Sequence, residues 1–221
     1  MSNARPHRRP GARVALAAVL LLLTAVLATA AAAAPDATCG VCGKNLIKNP
    51  GAEAGAGITA VGAFGAVPGW TNDAGQFGAA SYTFPNGWFS ARSKGSPKRG
   101  KNYFFGGTTT EAVTAKATIG KQTIKLPAAA AGRKATLTGW LGNYVKNYAQ
   151  VRAVFEDASG AVLGAVKLGP DTTISGTDMQ ARSRSMKVPS GAKQVTIVVT
   201  FGGTTAAYKL AGADSLSLVL S

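Results

Sequence analysis

Beyond residue 35 the chain has no histidine; its one copy, His7, sits in a basic N-terminal head. That absence excludes a Ser-His-Asp triad, a Cys-His pair and any His-ligated zinc or iron site. Acids are scarce too, nine against 24 Lys and Arg in 221 residues, so catalysis would have to rest on a few carboxylates. The two cysteines lie together in 39-CGVCG-43. Two thiolates do not complete a zinc site. A redox pair needs a helix start after it to lower a thiol pKa, and a strand is expected there instead. In an exported chain Cys39 and Cys42 read as a local disulfide staple. No helix signal of any length follows residue 35.

The long apolar run is at the other end. MSNARPHRRPGARV carries Arg5, Arg8, Arg9 and Arg13 and no acid, and ALAAVLLLLTAVLATAAAAA follows with Ala-x-Ala exits at Ala30, Ala32 and Ala33. A basic head, an apolar middle and a small-residue exit make a secretory signal peptide over 1–34. Retention as a membrane anchor is the alternative, since the run is long enough to span. Cleavage leaves an extracellular or envelope-associated chain with no membrane segment. Residues 35–43 then form an N-terminal segment holding the cysteine pair, and 44–221 one domain. The basic balance favours anionic polymers as partners, or simply solubility outside the cell. The clusters 92-RSKGSPKRGK-101 and 181-ARSRSMK-187 lack the architecture of a nucleic-acid module, so no specific nucleic acid is expected.

Apolar residues alternate at period two. In 194-QVTIVVTF-201, Val195, Ile197, Val199 and Phe201 share a face; in 134-KATLTGWL-141, Ala135, Leu137 and Leu141 oppose Thr136, Thr138 and Trp140. Two such runs flank Asp157-Ala-Ser-Gly160, which reads as a hairpin. Further strands are expected at 44–48, 79–84, 101–106, 112–126 and 214–220, with one helical turn in 128-AAAAGRK-134. Twenty-eight glycines and regularly spaced prolines punctuate these runs. The pattern predicts an all-β fold, an antiparallel β-sandwich or jelly roll. Phe104 and Phe105 are adjacent, so one should point inward and the other outward.

Two acids are oddly placed. Glu53 follows the first expected strand, in 44-KNLIKNPGAEAG-55, and Asp214 opens the last, in 214-DSLSLVL-220. By alternation Asp214 shares the face of Leu216, Leu218 and Leu220, where a carboxylate needs a partner. First and last strands of a sandwich are often neighbours, so the two acids can converge. Two readings are open: a hard cation such as Ca²⁺ between them, or separate capping of nearby turns through backbone N–H groups.

The segments NLIKNPGAEAG, VPGW (67–70), GKNYFFGG (100–107), GWLGNY (139–144), GAVLGAVKLGP (160–170), VPSGAKQVTIVVT (188–200) and AGADSLSLVL (211–220) occur in one order. Together they resemble a widespread set of secreted bacterial domains with the galactose-binding-like jelly-roll fold, similar to carbohydrate-binding modules. The resemblance implies a structural calcium held by Glu53 and Asp214, with carbonyls near 100–102 completing its shell. It also implies a polysaccharide or cell-wall glycan as partner. It departs at 145-VKNYAQV-151, where such domains often carry an acid and this chain has none.

Sugars stack on flat rings while amide and charged groups read their hydroxyls. The candidates are Tyr82, Trp88 and Arg92 in 81-SYTFPNGWFSAR-92, and Asn143, Tyr144, Asn147 and Tyr148 in 142-GNYVKNYAQ-150. Trp70 and Trp140 are expected as packing rings; Trp88 is open to either role. Glu156 and Asp157 are adjacent and make a poor acid–base pair. A carboxylate-only glycosidase built on Glu53 and Asp214 ranks below a binding module. The expectation is a secreted, non-catalytic binding module for carbohydrate. A basic surface protein attached to anionic wall polymers is the alternative.

Overall fold

The computed structural model describes residues 38–84, 88–108, 115–144, 146–170, 176–203 and 209–221. The signal peptide expected over 1–34 lies outside them, as do Glu111, Asp171 and the first part of the strand expected from 112. The described residues hold ten strands: β1 (Thr71–Ala74), β2 (Gly78–Ser81), β3 (Asn102–Phe105), β4 (Ala117–Lys125), β5 (Lys134–Asn143), β6 (Asn147–Glu156), β7 (Val162–Leu168), β8 (Met179–Lys187), β9 (Gln194–Gly203) and β10 (Ala211–Leu220). One 3-10 turn, Ala128–Ala130, stands where a helical turn was expected.

The strands form two five-stranded antiparallel sheets. Sheet A runs β2-β3-β10-β5-β8 and sheet B runs β1-β4-β9-β6-β7. The alternating strands behave as their pattern requires. Ala135, Leu137 and Leu141 of β5 meet Val151 and Phe155 of β6 and Val195, Ile197, Val199 and Phe201 of β9 in one shared core. The single core makes the sandwich one domain. The Asp157–Gly160 turn does join β6 to β7, with Asp157 Oδ1 accepting from the N–H groups of Ser159 (2.8 Å) and Ala161 (3.0 Å).

Phe104 points into the core and Phe105 away from it, as adjacent strand residues must. The outward set is not solvated. Tyr103, Phe105, Ala80 and Met179, on the outer side of sheet A, pack with Ile58, Tyr82, Phe84 and Phe89 into a second apolar layer. Two apolar layers result, the core between the sheets and an aromatic cover outside sheet A.

Three expectations change. The strand expected at 44–48 is a single bridge, Asn45 to Val219. Its side chain replaces the ladder: Asn45 Nδ2 donates to the Leu216 carbonyl at 3.0 Å, and its Oδ1 accepts from the Leu218 N–H at 3.0 Å and the Ile47 N–H at 3.1 Å. Two strands, β1 and β8, appear where none was read. Asp214, although only 1% exposed, does not share the face of Leu216. The register runs Asp214 to Trp140 and then Ser217 to Thr138, so β10 carries one extra residue there. Ser215 takes the left-handed backbone this bulge needs, φ 50°. Alternation slips by one, and Asp214 faces the aromatic layer while Leu216, Leu218 and Leu220 face the core.

Candidate functional site

The two acids do converge. Asp214 Oδ1 and Glu53 Oε1 lie 3.1 and 3.6 Å from the point a Gly51 Cβ would occupy, so at most about 7 Å separates them. Each sits beside a residue in left-handed backbone, Ala52 (φ 62°) and Ser215 (φ 50°). Such conformations are costly for a side-chain-bearing residue and persist where the surroundings impose them. A groove of about 400 Å³ lined by Asn45, Gly51, Glu53, Lys98, Gly100 and Asp214 opens over the pair.

Their partners are hydrogen-bond donors. Glu53 Oε2 accepts the Lys101 N–H at 2.8 Å and Oε1 the Asn102 N–H at 3.0 Å. The start of β3 thus turns N–H groups, not carbonyls, toward Glu53; the Lys101 carbonyl instead receives the Tyr82 N–H at 2.9 Å. The Tyr82 hydroxyl donates to Asp214 Oδ2 at 2.8 Å, and the Ser215 N–H to Oδ1. Burial pushes the Asp214 carboxyl up to about 6, the nearby Glu53 charge adds to the rise, and the Tyr82 and Ser215 hydrogen bonds oppose it. Burial and then the Asp214 charge push the Tyr82 phenol far up. Among the described residues neither carboxylate has a cationic side chain within salt-bridge distance; the ion pair there is Lys121–Asp73 at 2.8 Å.

The ligand candidates fall in three places. Tyr82 is a correction: its ring is 5% exposed, 4.9 Å from the Tyr103 ring and covered by the Arg99 guanidinium at 5.4 Å, so no face is left for a sugar. Arg99 is fixed there by the carbonyls of Ser96 and Ser90, each at 3.1 Å. Trp88 is half-buried and stacks on Phe84 (4.7 Å) and Phe105 (5.4 Å) as part of the same cover. Arg92 is exposed on the adjoining loop. Tyr144 and Trp140 pack against the edge of this layer, and Trp70 packs on Phe104 at 4.9 Å.

Asn143 and Asn147 occupy a second place. They pair with Ala211 and Gly203, at the β5–β6 end of the sandwich, and both are 1% exposed. Asn147 Nδ2 donates to the Tyr144 carbonyl at 3.1 Å, while Asn147 Oδ1 and both amide atoms of Asn143 have no hydrogen-bond partner among the described residues. Buried amides of this kind call for water rather than leaving their polar atoms bare.

Tyr148 occupies the third, the outer face of sheet B. In β6 the residues Asn147, Ala149, Val151 and Ala153 are buried, whereas Tyr148, Gln150 and Arg152 face out. The Tyr148 ring lies over Gly202 of β9, so near that a Cβ there would come within 2.5 Å of its hydroxyl. Glycine is what lets the hydroxyl end of the ring come this close to the neighbouring strand. From Tyr148 the surface continues through Gln150 and Thr200 to a row that crosses every strand: Thr71, Lys121, Val198, Arg152 and Lys167 are in register. Beyond it Thr196 donates to Glu156 at 2.8 Å and bonds Thr123 at 3.0 Å. Sequence reasoning named Tyr148 as a candidate but not this row, because its members come from separate strands.

No protein-family model matches the chain, and a search of curated proteins finds no match. Solved structures do resemble it. A structure named Family 16 Carbohydrate Binding Module-2 superposes with TM-score 0.50 and 19% identity over 79% of this chain and 99% of its own. A Stig cyclase, Fisc, from Fischerella sp. TAU gives 0.52 and 16% over 80% and 96%. The enzymatically active domain of tailspike protein 4 from bacteriophage CBA120 gives 0.51 and 14% over 80% of this chain, which spans only 21% of that one. At these identities the shared property is the fold, and the chain has the jelly-roll sandwich found in carbohydrate-binding modules.

Proposed function

We propose that the chain is an exported, non-catalytic module that binds a polysaccharide on the open outer face of sheet B. The observation that carries this reading is the outward Tyr148 ring, its hydroxyl end over Gly202, beside outward amide and hydroxyl groups: an aromatic ring with hydroxyl readers next to it. The fold shared with a family 16 carbohydrate-binding module supports it. The burial of Asp214 counts against a glycosidase, since the residue is 1% exposed and each of its oxygens already accepts a hydrogen bond, from Tyr82 and from Ser215. The basic head and apolar run before residue 35 support export to the cell envelope or beyond.

Affinity electrophoresis and calorimetry against a polysaccharide panel test the site. Tyr148→Ala should abolish saturable binding while Trp88→Ala leaves it intact. The opposite pattern places the ligand on the aromatic cover. The positive charge balance favours a second reading, attachment to anionic wall polymer by charge alone. Binding that fades with salt and ignores Tyr148 supports that one.

Calcium belongs to this proposal as a structural ion. Two carboxylates within about 7 Å, both without a cationic partner among the described residues, suit a hard cation, and each carboxylate oxygen keeps a second lone pair. Glu53 and Asp214 would hold the ion; bound there, it would offset their mutual repulsion and tie the segment before β1 to β10. Chelator should lower the melting temperature of the native chain and leave that of Asp214→Asn unchanged. Equal curves for the native chain with and without chelator remove the ion from the proposal.

A further inference from the structure

The row crossing sheet B is basic. Lys121, Arg152 and Lys167 stand in one register line on β4, β6 and β7, with Val198 of β9 between the first two. At about 4.8 Å per strand the line from Lys121 to Lys167 spans about 14 Å. Arg152 and Lys167 are exposed and have no acidic partner among the described residues; Lys121 shares its charge with Asp73 at 2.8 Å. The other acid on this face, Glu156, is occupied by Gln194 (3.0 Å) and Thr196 (2.8 Å). The line does not stop at β4. Because β1 has only four residues, the far half of β4 has a free edge, and a groove of about 540 Å³ runs along it, lined by Lys48, Lys121 and Lys125 with Gly69, Thr71 and Gln122.

A face that needed only solubility would mix its charges. This one places cations in a straight line beside a flat ring, and the line leads into a lysine-lined groove. Tyr148 and Arg152 are four residues apart on one strand, about 13 Å at about 3.4 Å per residue, so one extended chain can touch both. A guanidinium binds a carboxylate through two parallel hydrogen bonds, which gives direction as well as attraction.

We infer that the ligand of this face is an acidic polysaccharide, its anionic groups held by Lys121, Arg152 and Lys167 and by the groove at Lys48 and Lys125. This rests on the proposal that sheet B carries the glycan site and adds the chemical class of the glycan. Charge complementarity names the occupant: a repeating polyanion meets a repeating line of cations.

The test uses the exported domain with polygalacturonate, its methyl-esterified form, heparin, neutral galactan and polyuridylic acid, by calorimetry at two salt concentrations. Polygalacturonate should bind, and methyl esterification, which removes the charge and keeps the sugar, should weaken it by roughly tenfold or more. Heparin, which carries sulfates as well as carboxylates, reads whether added sulfate strengthens binding beyond that of polygalacturonate. The triple variant Lys121→Gln, Arg152→Gln, Lys167→Gln should lose binding by a similar factor. A control triple on the edge of the other sheet, Lys134→Gln, Arg184→Gln, Lys187→Gln, removes the same net charge and should retain it. Melting curves of both triples check that they fold. Equal losses in the two triples overturn the inference, because net charge rather than the line would then hold the polymer. Tighter binding of polyuridylic acid than of any acidic glycan overturns it too. Galactan binding through Tyr148, unaffected by the line triple and stronger than polygalacturonate binding, overturns this inference and leaves the carbohydrate reading standing. Failure to bind any polysaccharide removes both.

Discussion

The outer faces of the two sheets differ, although both sheets have five strands and both turn one side to the same core. Sheet A wears a second apolar layer in which Tyr103, Phe89 and Phe105 are no more than 1% exposed. Sheet B is open, its outward positions filled by Gln150, Arg152, Thr200, Lys121 and Thr123. The cause is local sequence. β3 reads Asn-Tyr-Phe-Phe with no polar alternate, and a strand buried on both sides needs none. β6 alternates, because one side is wet. A face sealed by the protein's own rings contributes stability, and a face left bare is available for recognition.

The most severe way to break that contrast is Phe89→Ala. Its ring packs against Gly142, Gly212 and Tyr103 with nothing exposed, and its loss should cost about 3–5 kcal/mol in urea denaturation. Tyr148→Ala on the other face should cost under about 1 kcal/mol and act on binding instead. Equal costs would mean the two faces play the same structural role.

Next in size is acidity. Burial raises the folded-state pKa of Asp214 from an ordinary 3.8 to about 6. The folded chain therefore holds that proton more tightly than the unfolded chain. Without calcium, stability should rise as pH falls from about 6 to about 4, by up to about 3 kcal/mol. Asp214→Asn should flatten that slope. With calcium bound to the charged form, the slope should reverse, and acidification through pH 6 should destabilise. Thermal unfolding in chelator and in calcium, across that window, reads the sign directly.

A smaller effect is expected at Gly202→Ala. The new methyl would press on the Tyr148 ring and lift it from the sheet, at about 1–3 kcal/mol, and glycan affinity should fall with it. The mildest change sharpens the open face: Val198→Lys fills the gap in the basic line. It should move stability by no more than about 0.5 kcal/mol and tighten binding to polygalacturonate severalfold by calorimetry.

What the sequence showed followed from burial on one side only. β5, β6 and β9 alternate cleanly, so their faces were readable. β8, with Arg182, Ser183, Arg184 and Ser185, is an edge strand, and its charges blunt an otherwise open ladder. It carries no apolar alternation and passed as a basic loop. β1, Thr-Asn-Asp-Ala, is short and polar for the same reason. The approach of Glu53 to Asp214 was readable from the chain ends, but the face of Asp214 was not, since a serine rather than a glycine marks the bulge. Tyr82 and Tyr148 look alike in sequence. What separates them is a hydroxyl partner 132 residues away in one case and a glycine under the ring in the other.

The extra residue at Ser215 has a consequence for how the chain can vary. On one side of it Ala211 and Ala213 point to the core, and on the other Leu216, Leu218 and Leu220 do. Deleting Ser215 would restore simple alternation with every face kept, whereas deleting a residue elsewhere in β10 while the bulge stays would turn the far part of the strand inside out, with leucines among the rings or the carboxylate among leucines. The Asp157–Gly160 turn, exposed from Ala158 onward, answers to no such count and can lengthen freely. Insertions and deletions should therefore accumulate in relatives at that hairpin, whereas in the last strand the tolerated change is loss of the extra residue itself, because any other change of length would have to serve two interiors at once.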